Sequence, residues 1–302
     1  MDLTNSDRPA HRGRRGRDPD RRIPGWASSL LARLARDRPD VLTRDDVSAY
    51  LLDAKFQRSV DRTIEELSRL GWLVSLHLKG VWAYLPPGEG EIIDRYIDLR
   101  GWRAREPEAL FALAGEAAAW HLGYLDRAFE GRLAVWLPTD TRVPFGLRPH
   151  VSVIKLGWGA RDASRLGPTP GLLRKRGLDL TRWAAGLPAF GPEALIVQLA
   201  ARPASFRAWA DLVSHLDDVA RDISFSRLEK LLEGQTTSAW QRAAYLLHAG
   251  RRTDEAAGLL ERRPKVAMAT VQFGNGPNAV WVSQFRVVDR TIAPLRAALG
   301  KA

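Results

Sequence analysis

Between Gly25 and Leu85 the apolar positions recur in an ordered series. Trp26, Leu30, Leu31, Leu34 and Ala35 follow helical spacing, and Pro39 closes that first helix. Thr43 opens a second, with Asp46 three residues on in capping-box spacing and Val47, Tyr50 and Leu51 as the buried stripe. After a short break at residues 52–54, Phe56, Val60, Ile64 and Leu67 fall on one face of a third helix, expected over about Lys55 to Leu70 and stopped by Gly71. Lys55, Arg58, Arg62 and Arg69 occupy the opposite arc, with Ser59 and Glu66 beside it. Two β-branched and aromatic runs, residues 72–77 and 81–85, are joined through Leu78, Lys79 and Gly80 and predict a hairpin, after which Pro86, Pro87 and Gly88 punctuate the chain.

Three helices followed by a hairpin is the order of a winged helix-turn-helix, expected over residues 23–90. Its third helix would enter a DNA major groove, with Lys55, Arg58, Ser59, Arg62 and Arg69 at the contact and Lys79 on phosphate from the hairpin tip. The bland alternative is a three-helix packing module with a solvated basic face.

Beyond a connector at residues 91–105 the pattern is mixed. Residues 110–124 read as a helix, and residues 133–137 and 150–156 as strands. A Gly/Pro-rich loop spans residues 157–171, and a helical stretch runs from Pro192 to about Arg262. Two closing strands, residues 265–273 and 279–285, are expected to join as a hairpin at Gly274–Pro277. This order predicts an α+β fold, with a larger domain at 91–302 following the N-terminal one. Residues 1–22, with seven Arg and four Asp and no apolar face, read as a disordered basic arm. That arm serves either as a solubilising tail or to reach DNA.

Composition sharpens this picture. The 302 residues carry a formal net charge of +11, which favours anionic partners. The excess is not concentrated on the proposed DNA reader: residues 1–90 hold 16 basic and 13 acidic side chains, the remainder 30 and 22. Residues 142–182 alone hold nine Lys/Arg against two Asp, and Arg174, Lys175 and Arg176 form its densest run. We read this tract as a partner-binding surface. The absence of Cys removes disulfides, thiolate metal sites and a thiol nucleophile. No apolar run long enough for a bilayer and no signal-peptide pattern occurs, so a cytoplasmic location is expected.

A search for chemistry finds little. The six histidines lack metal-ligand spacing, Asp217, Asp218 and Asp222 read as caps or turn residues, and no phosphate-cradling loop with a following Lys occurs. No catalytic residue, metal or cofactor is expected. The rival readings are a nucleic-acid-processing enzyme targeted by its winged helix and a ligand-sensing regulator.

The arrangement resembles the AbiEi antitoxins. The resemblance is carried by Ile64, Leu67, Gly71–Val74, Val81–Tyr84, Ala117–Gly123, Pro192–Leu195 and Tyr245–Gly250. It implies a repressor that binds inverted repeats upstream of its own operon, and an antitoxin that counteracts a nucleotidyltransferase-like toxin through its C-terminal domain. The arginine-rich N-terminal extension is not required by that family pattern.

Overall fold

The computed structural model describes residues 21–54, 56–138, 141–156, 158, 180–182 and 186–300. The fold is mixed α+β in two compact units. The first runs to Ala109 and includes Pro144–Leu147; the second takes Leu110–Val143 and the chain from Arg148 onward.

In the first unit, helix α1 (Ser28–Asp37) buries Leu30, Leu31 and Leu34 and ends where Arg38 turns left-handed at φ 46° ahead of Pro39. Strand β1 (Val41–Thr43) follows, an element the hydrophobic pattern did not predict. Helix α2 (Arg44–Asp53) starts at Thr43, whose hydroxyl accepts from the Asp46 amide at 3.2 Å while its own amide donates to the Asp46 carboxylate at 2.7 Å. Helix α3 (Val60–Arg69) buries Thr63, Ile64 and Leu67. Gly71 stops it at φ 82°, a backbone conformation that favours glycine, and Trp72 N donates back to Leu67 O at 2.9 Å. Strands β2 (Leu73–Ser75) and β3 (Val81–Tyr84) form the expected hairpin, and β1 joins on the far side of β3 in an antiparallel sheet of order β1-β3-β2. Leu30, Leu34, Leu42, Val47, Leu51, Leu67, Trp72 and Leu73 fill one core.

The expected domain boundary at residue 90 falls short of the compact unit because the connector contains helix α4 (Ile97–Arg105). Leu99, Gly101 and Trp102 are buried there, and α4 packs on β1 and β3. A Cβ on Gly101 would lie 2.8 Å from Leu76 Cδ1, so the small residue lets the helix seat against the hairpin.

In the second unit the chain enters as strand β4 (Ala112–Leu113) before helix α5 (Gly115–His121), where a helix from residue 110 was expected. Phe111–Ala114 is a fully buried apolar run that suits a central strand, and Gly115, at φ 55°, separates it from the helix. Strands β5 (Leu133–Trp136), β6 (Val151–Ile154), β7 (Leu180–Arg182) and β8 (Pro188–Phe190) complete a mixed sheet of order β6-β5-β4-β8-β7. Trp136, Trp158 and Phe190 meet edge-on or tilted, with centroids 5.7–5.9 Å apart. Helix α6 (Pro192–Ala201) is buried along almost its whole length, and Gln198 Oε1 accepts from Gly115 N at 2.8 Å.

Shorter helices α7 (Trp209–Ser214), α8 (Leu216–Asp222) and α9 (Phe225–Leu232) lead to α10 (Thr237–Ala249), which packs on both α6 and α11 (Thr253–Arg262). The chain closes with strands β9 (Val271–Phe273), β10 (Val280–Val282) and β11 (Val287–Asp289) and helix α12 (Ile292–Leu299).

The expected hairpin at Gly274–Pro277 does not form. β11 lies between its two arms, parallel to β9 and antiparallel to β10. The second arm breaks into a 3-10 turn at Ser283–Phe285, and Arg286 at φ 50° starts a new strand. That strand carries Asp289, whose buried carboxylate accepts from Tyr245 Oη at 2.6 Å and from the amides of Thr291 and Ile292 at 2.8 and 2.9 Å.

Candidate nucleic-acid interface

The third helix begins at Val60 rather than near Lys55, because Ser59 takes an extended conformation (φ −61°, ψ 131°) as its N-cap. Arg58 and Ser59 therefore precede the helix, and Lys55 lies outside the described residues. The outward face of α3 carries exposed Arg62, Glu65 and Arg69, with Asp61 beside them. This face is less purely basic than the expected arc, since Glu65 shares it. Asp61 is engaged by Arg44 of α2, whose Nε and Nη2 reach the two carboxylate oxygens at 3.0 and 3.1 Å. That fork holds the Asp61 carboxyl below the usual range. Arg62 and Arg69 remain as the exposed cations of the helix.

Arg58 has a different environment. Its guanidinium stacks 3.7 Å from the Trp26 ring centroid and pairs with Glu66, so that its side chain is only 22% exposed. Trp26 Nε1 donates to the other Glu66 oxygen at 3.1 Å. This hydrogen bond, with the Arg58 charge, holds the Glu66 carboxyl below its ordinary range. The three side chains close a ring along α3, from the residue before Ser59 to Glu66 in the second half of the helix. Arg58, expected among the outward residues, folds back instead, because an aromatic face and a carboxylate both lie within its reach.

The hairpin tip is braced. Lys79 is exposed, and its carbonyl accepts from Arg105 Nη1 at 3.3 Å. Next to it, His77 N donates to Asp98 Oδ1 at 2.9 Å and His77 Nδ1 lies 2.7 Å from Asp98 Oδ2.

Arg21 corrects the expected extent of the arm, which does not reach residue 22. Its guanidinium is buried and donates to the carbonyls of Gly71, Leu85 and Pro86 at 2.8 Å each and of Glu89 at 2.5 Å. It also lies 4.7 Å from the Trp72 ring centroid, and Trp72 Nε1 donates to Arg22 O at 3.3 Å. Burial pushes the Arg21 guanidinium below its ordinary pKa. A long-range clasp on four carbonyls leaves no periodic trace in a sequence. Residues 1–20 lie outside the described residues.

Arg174, Lys175 and Arg176 also lie outside the described residues. Of the same basic tract, Arg142, Arg148 and Lys155 are exposed. Among the described residues no cluster of three His, Asp or Glu is placed to hold a metal, and no helix is long and apolar enough to cross a membrane. The carboxylates singled out in the sequence lie within α8 and have structural partners. Asp217 meets Arg251, Asp218 meets Arg221, and Asp222 accepts from Tyr124 Oη.

Comparison with known proteins places this geometry among relatives. The model of the AbiEi antitoxin C-terminal domain matches residues 111–249. Among solved structures, the RV2827C protein from Mycobacterium tuberculosis is 51% identical with a TM-score of 0.82. The match covers 93% of this chain and 97% of that one. No curated protein matches.

Proposed function

We propose, from the premise that this chain belongs to the AbiEi antitoxin family, that it represses its own operon by binding operator DNA and counteracts a nucleotidyltransferase-like toxin. The first unit is the DNA reader, as a winged helix-turn-helix. The observation that carries this reading is the outward face of α3, where Arg62 and Arg69 stand exposed on a helix followed by a hairpin with exposed Lys79 at its tip. A helix enters the major groove and reads base edges, while cations around it fix register on phosphate.

Arg62, in the first turn of α3, takes the base edge, with Ser59 beside it. Arg69 and Lys79 take phosphates, as does Lys55. Arg58 positions α3 through Trp26 and Glu66. Arg174, Lys175 and Arg176 bind the toxin, where charge complementarity acts mainly on encounter rate and specificity. Both roles are binding roles exercised in the cytoplasm, and neither needs a catalytic group or cofactor.

One strain tests both roles: the chain's own promoter drives a reporter, and the adjacent toxin gene is inducible. Wild-type protein is expected to silence the reporter and restore growth. Reversal of Arg174, Lys175 and Arg176 to Glu is expected to keep silencing and lose protection, and Arg62→Ala with Arg69→Ala to do the opposite. Full protection by the charge-reversed protein removes the tract from the mechanism. Silencing by the double alanine variant removes α3.

A further inference from the structure

The C-terminal three-stranded sheet has two unlike faces. Val271, Phe273, Val287 and Asp289 are buried, and the sheet packs on α10. On the opposite face, register sets Trp281 of β10 against Val288 of β11, and Val288 against Gln272 of β9. This row is open to solvent: Trp281 is 52% exposed and Gln272 is exposed. β10 is an edge strand of the sheet.

The segment that builds this sheet is rich in basic residues: from Arg262 to Ala302 there are seven and a single carboxylate, Asp289, with Arg262 paired to Glu229 and Arg296 to Asp217. Asp289 points inward and is consumed by Tyr245 and the start of α12. Arg286 is exposed at the head of β11. Gln241 Nε2 donates to Ala269 O at 2.9 Å and Phe285 O at 3.2 Å, which ties the segment leading into β9 beside Arg286. Exposed Lys265 lies upstream in that segment, and the β9–β10 connection adds exposed Asn275 and Asn278.

We propose that this face binds an unpaired nucleic-acid strand. A base stacks on the Trp281 indole, Gln272 and the asparagines offer hydrogen bonds to base edges, and Arg286 and Lys265 take phosphates. An exposed indole on a sheet whose own outward positions and connections hold a cation and amides but no carboxylate is the composition of a single-strand platform. The strand must be unpaired, because in a duplex each base face is covered by its neighbours. This activity is separate from operator reading. It sits in the other unit, and its residues fall outside the 111–249 match.

The test uses the full-length protein and fluorescence anisotropy. The probes are labelled 12-nucleotide oligo-dT, 12-nucleotide oligo-U and a duplex of equal length. Trp281→Ala is expected to weaken single-strand binding about tenfold or more and leave duplex binding unchanged. Arg286→Gln is expected to reduce the slope of log K against log salt by about 0.7 for the single strands. Gln272→Glu, an exposed change that disturbs no packing, is expected to weaken single-strand binding several-fold, so the test stands even if Trp281→Ala unfolds. Tighter binding of oligo-U assigns RNA as the ligand, and tighter binding of oligo-dT assigns displaced DNA. Wild-type affinity in folded Trp281→Ala or in Gln272→Glu overturns the proposal, as does an equal loss on the duplex.

Discussion

Arg58 lays its guanidinium 3.7 Å from the centroid of the Trp26 ring. The contact joins the start of the first helical segment to the residue just before α3, and Glu66 closes it from within that helix. Arg58→Ala removes the stack and the charge partner together. It is expected to cost about 1 kcal/mol of stability from the stack alone. Arg58→Lys is expected to recover only part of this, because a point charge replaces a planar group. Thermal unfolding of the three proteins checks it; an unshifted midpoint for Arg58→Ala shows that the ring contributes nothing.

The same ring carries a pH dependence. The Glu66 carboxyl is held below its ordinary range by the Trp26 hydrogen bond first and the Arg58 charge second. A depressed folded-state value means that the unfolded chain binds this proton more readily. The stabilisation is therefore fully present above the ordinary glutamate range and lost as pH falls through it towards the depressed value. Glu66→Gln is expected to flatten the stability–pH curve in that acidic window and leave its slope near neutrality unchanged. A wild-type slope in acid contradicts this.

Arg21 is the second long-range tie. Replacing it with Ala leaves the carbonyls of Gly71 and Leu85 without their buried donor, at an expected cost of about 2–3 kcal/mol. Arg21→Lys cannot serve four carbonyls and is expected to lie between. Deletion of residues 1–20 with Arg21 retained is expected to leave the unfolding midpoint unchanged. A destabilisation by that deletion equal to the loss in Arg21→Ala contradicts the clasp as the source of the effect.

Much of the first unit was legible because its signals are local. The Thr43–Asp46 box, the Ile64 and Leu67 stripe and Gly71 each act within one or two helical turns, and each appears where its spacing implies. Two elements escaped for physical reasons. β1 is three residues long and shares Thr43 with the cap of α2, so it has no period of its own. The buried positions of α4, Leu99 and Trp102, are interleaved with charged residues. In the second unit, β11 pairs with β9 and carries Asp289, whose partner Tyr245 is distant in sequence. Turn residues at Gly274–Pro277 cannot report that. At the candidate site, Arg62, Arg69 and Lys79 were readable as exposed cations. The capture of Arg58 was not, since Trp26 is far away along the chain.

Asp289 offers a test of that C-terminal arrangement. It is fully buried and joins β11 to α10 and to the first turn of α12. Asp289→Asn keeps one acceptor oxygen and loses the other. It is expected to cost about 2–3 kcal/mol, the scale of a buried group left without its charged hydrogen-bond partner. Urea unfolding measures it, and a midpoint within error of wild type contradicts the role assigned to this carboxylate.

The most direct measurement is the affinity of purified protein for a duplex carrying its own promoter, against a scrambled duplex, over a range of salt. Wild type is expected to prefer the promoter. Arg62→Ala is expected to lose about 1–3 kcal/mol on the promoter with little change on scrambled DNA. Lys79→Ala is expected to weaken both equally and flatten the salt dependence. A folded Arg62→Ala, Arg69→Ala protein that binds the promoter as wild type does would contradict α3 as the reader of DNA.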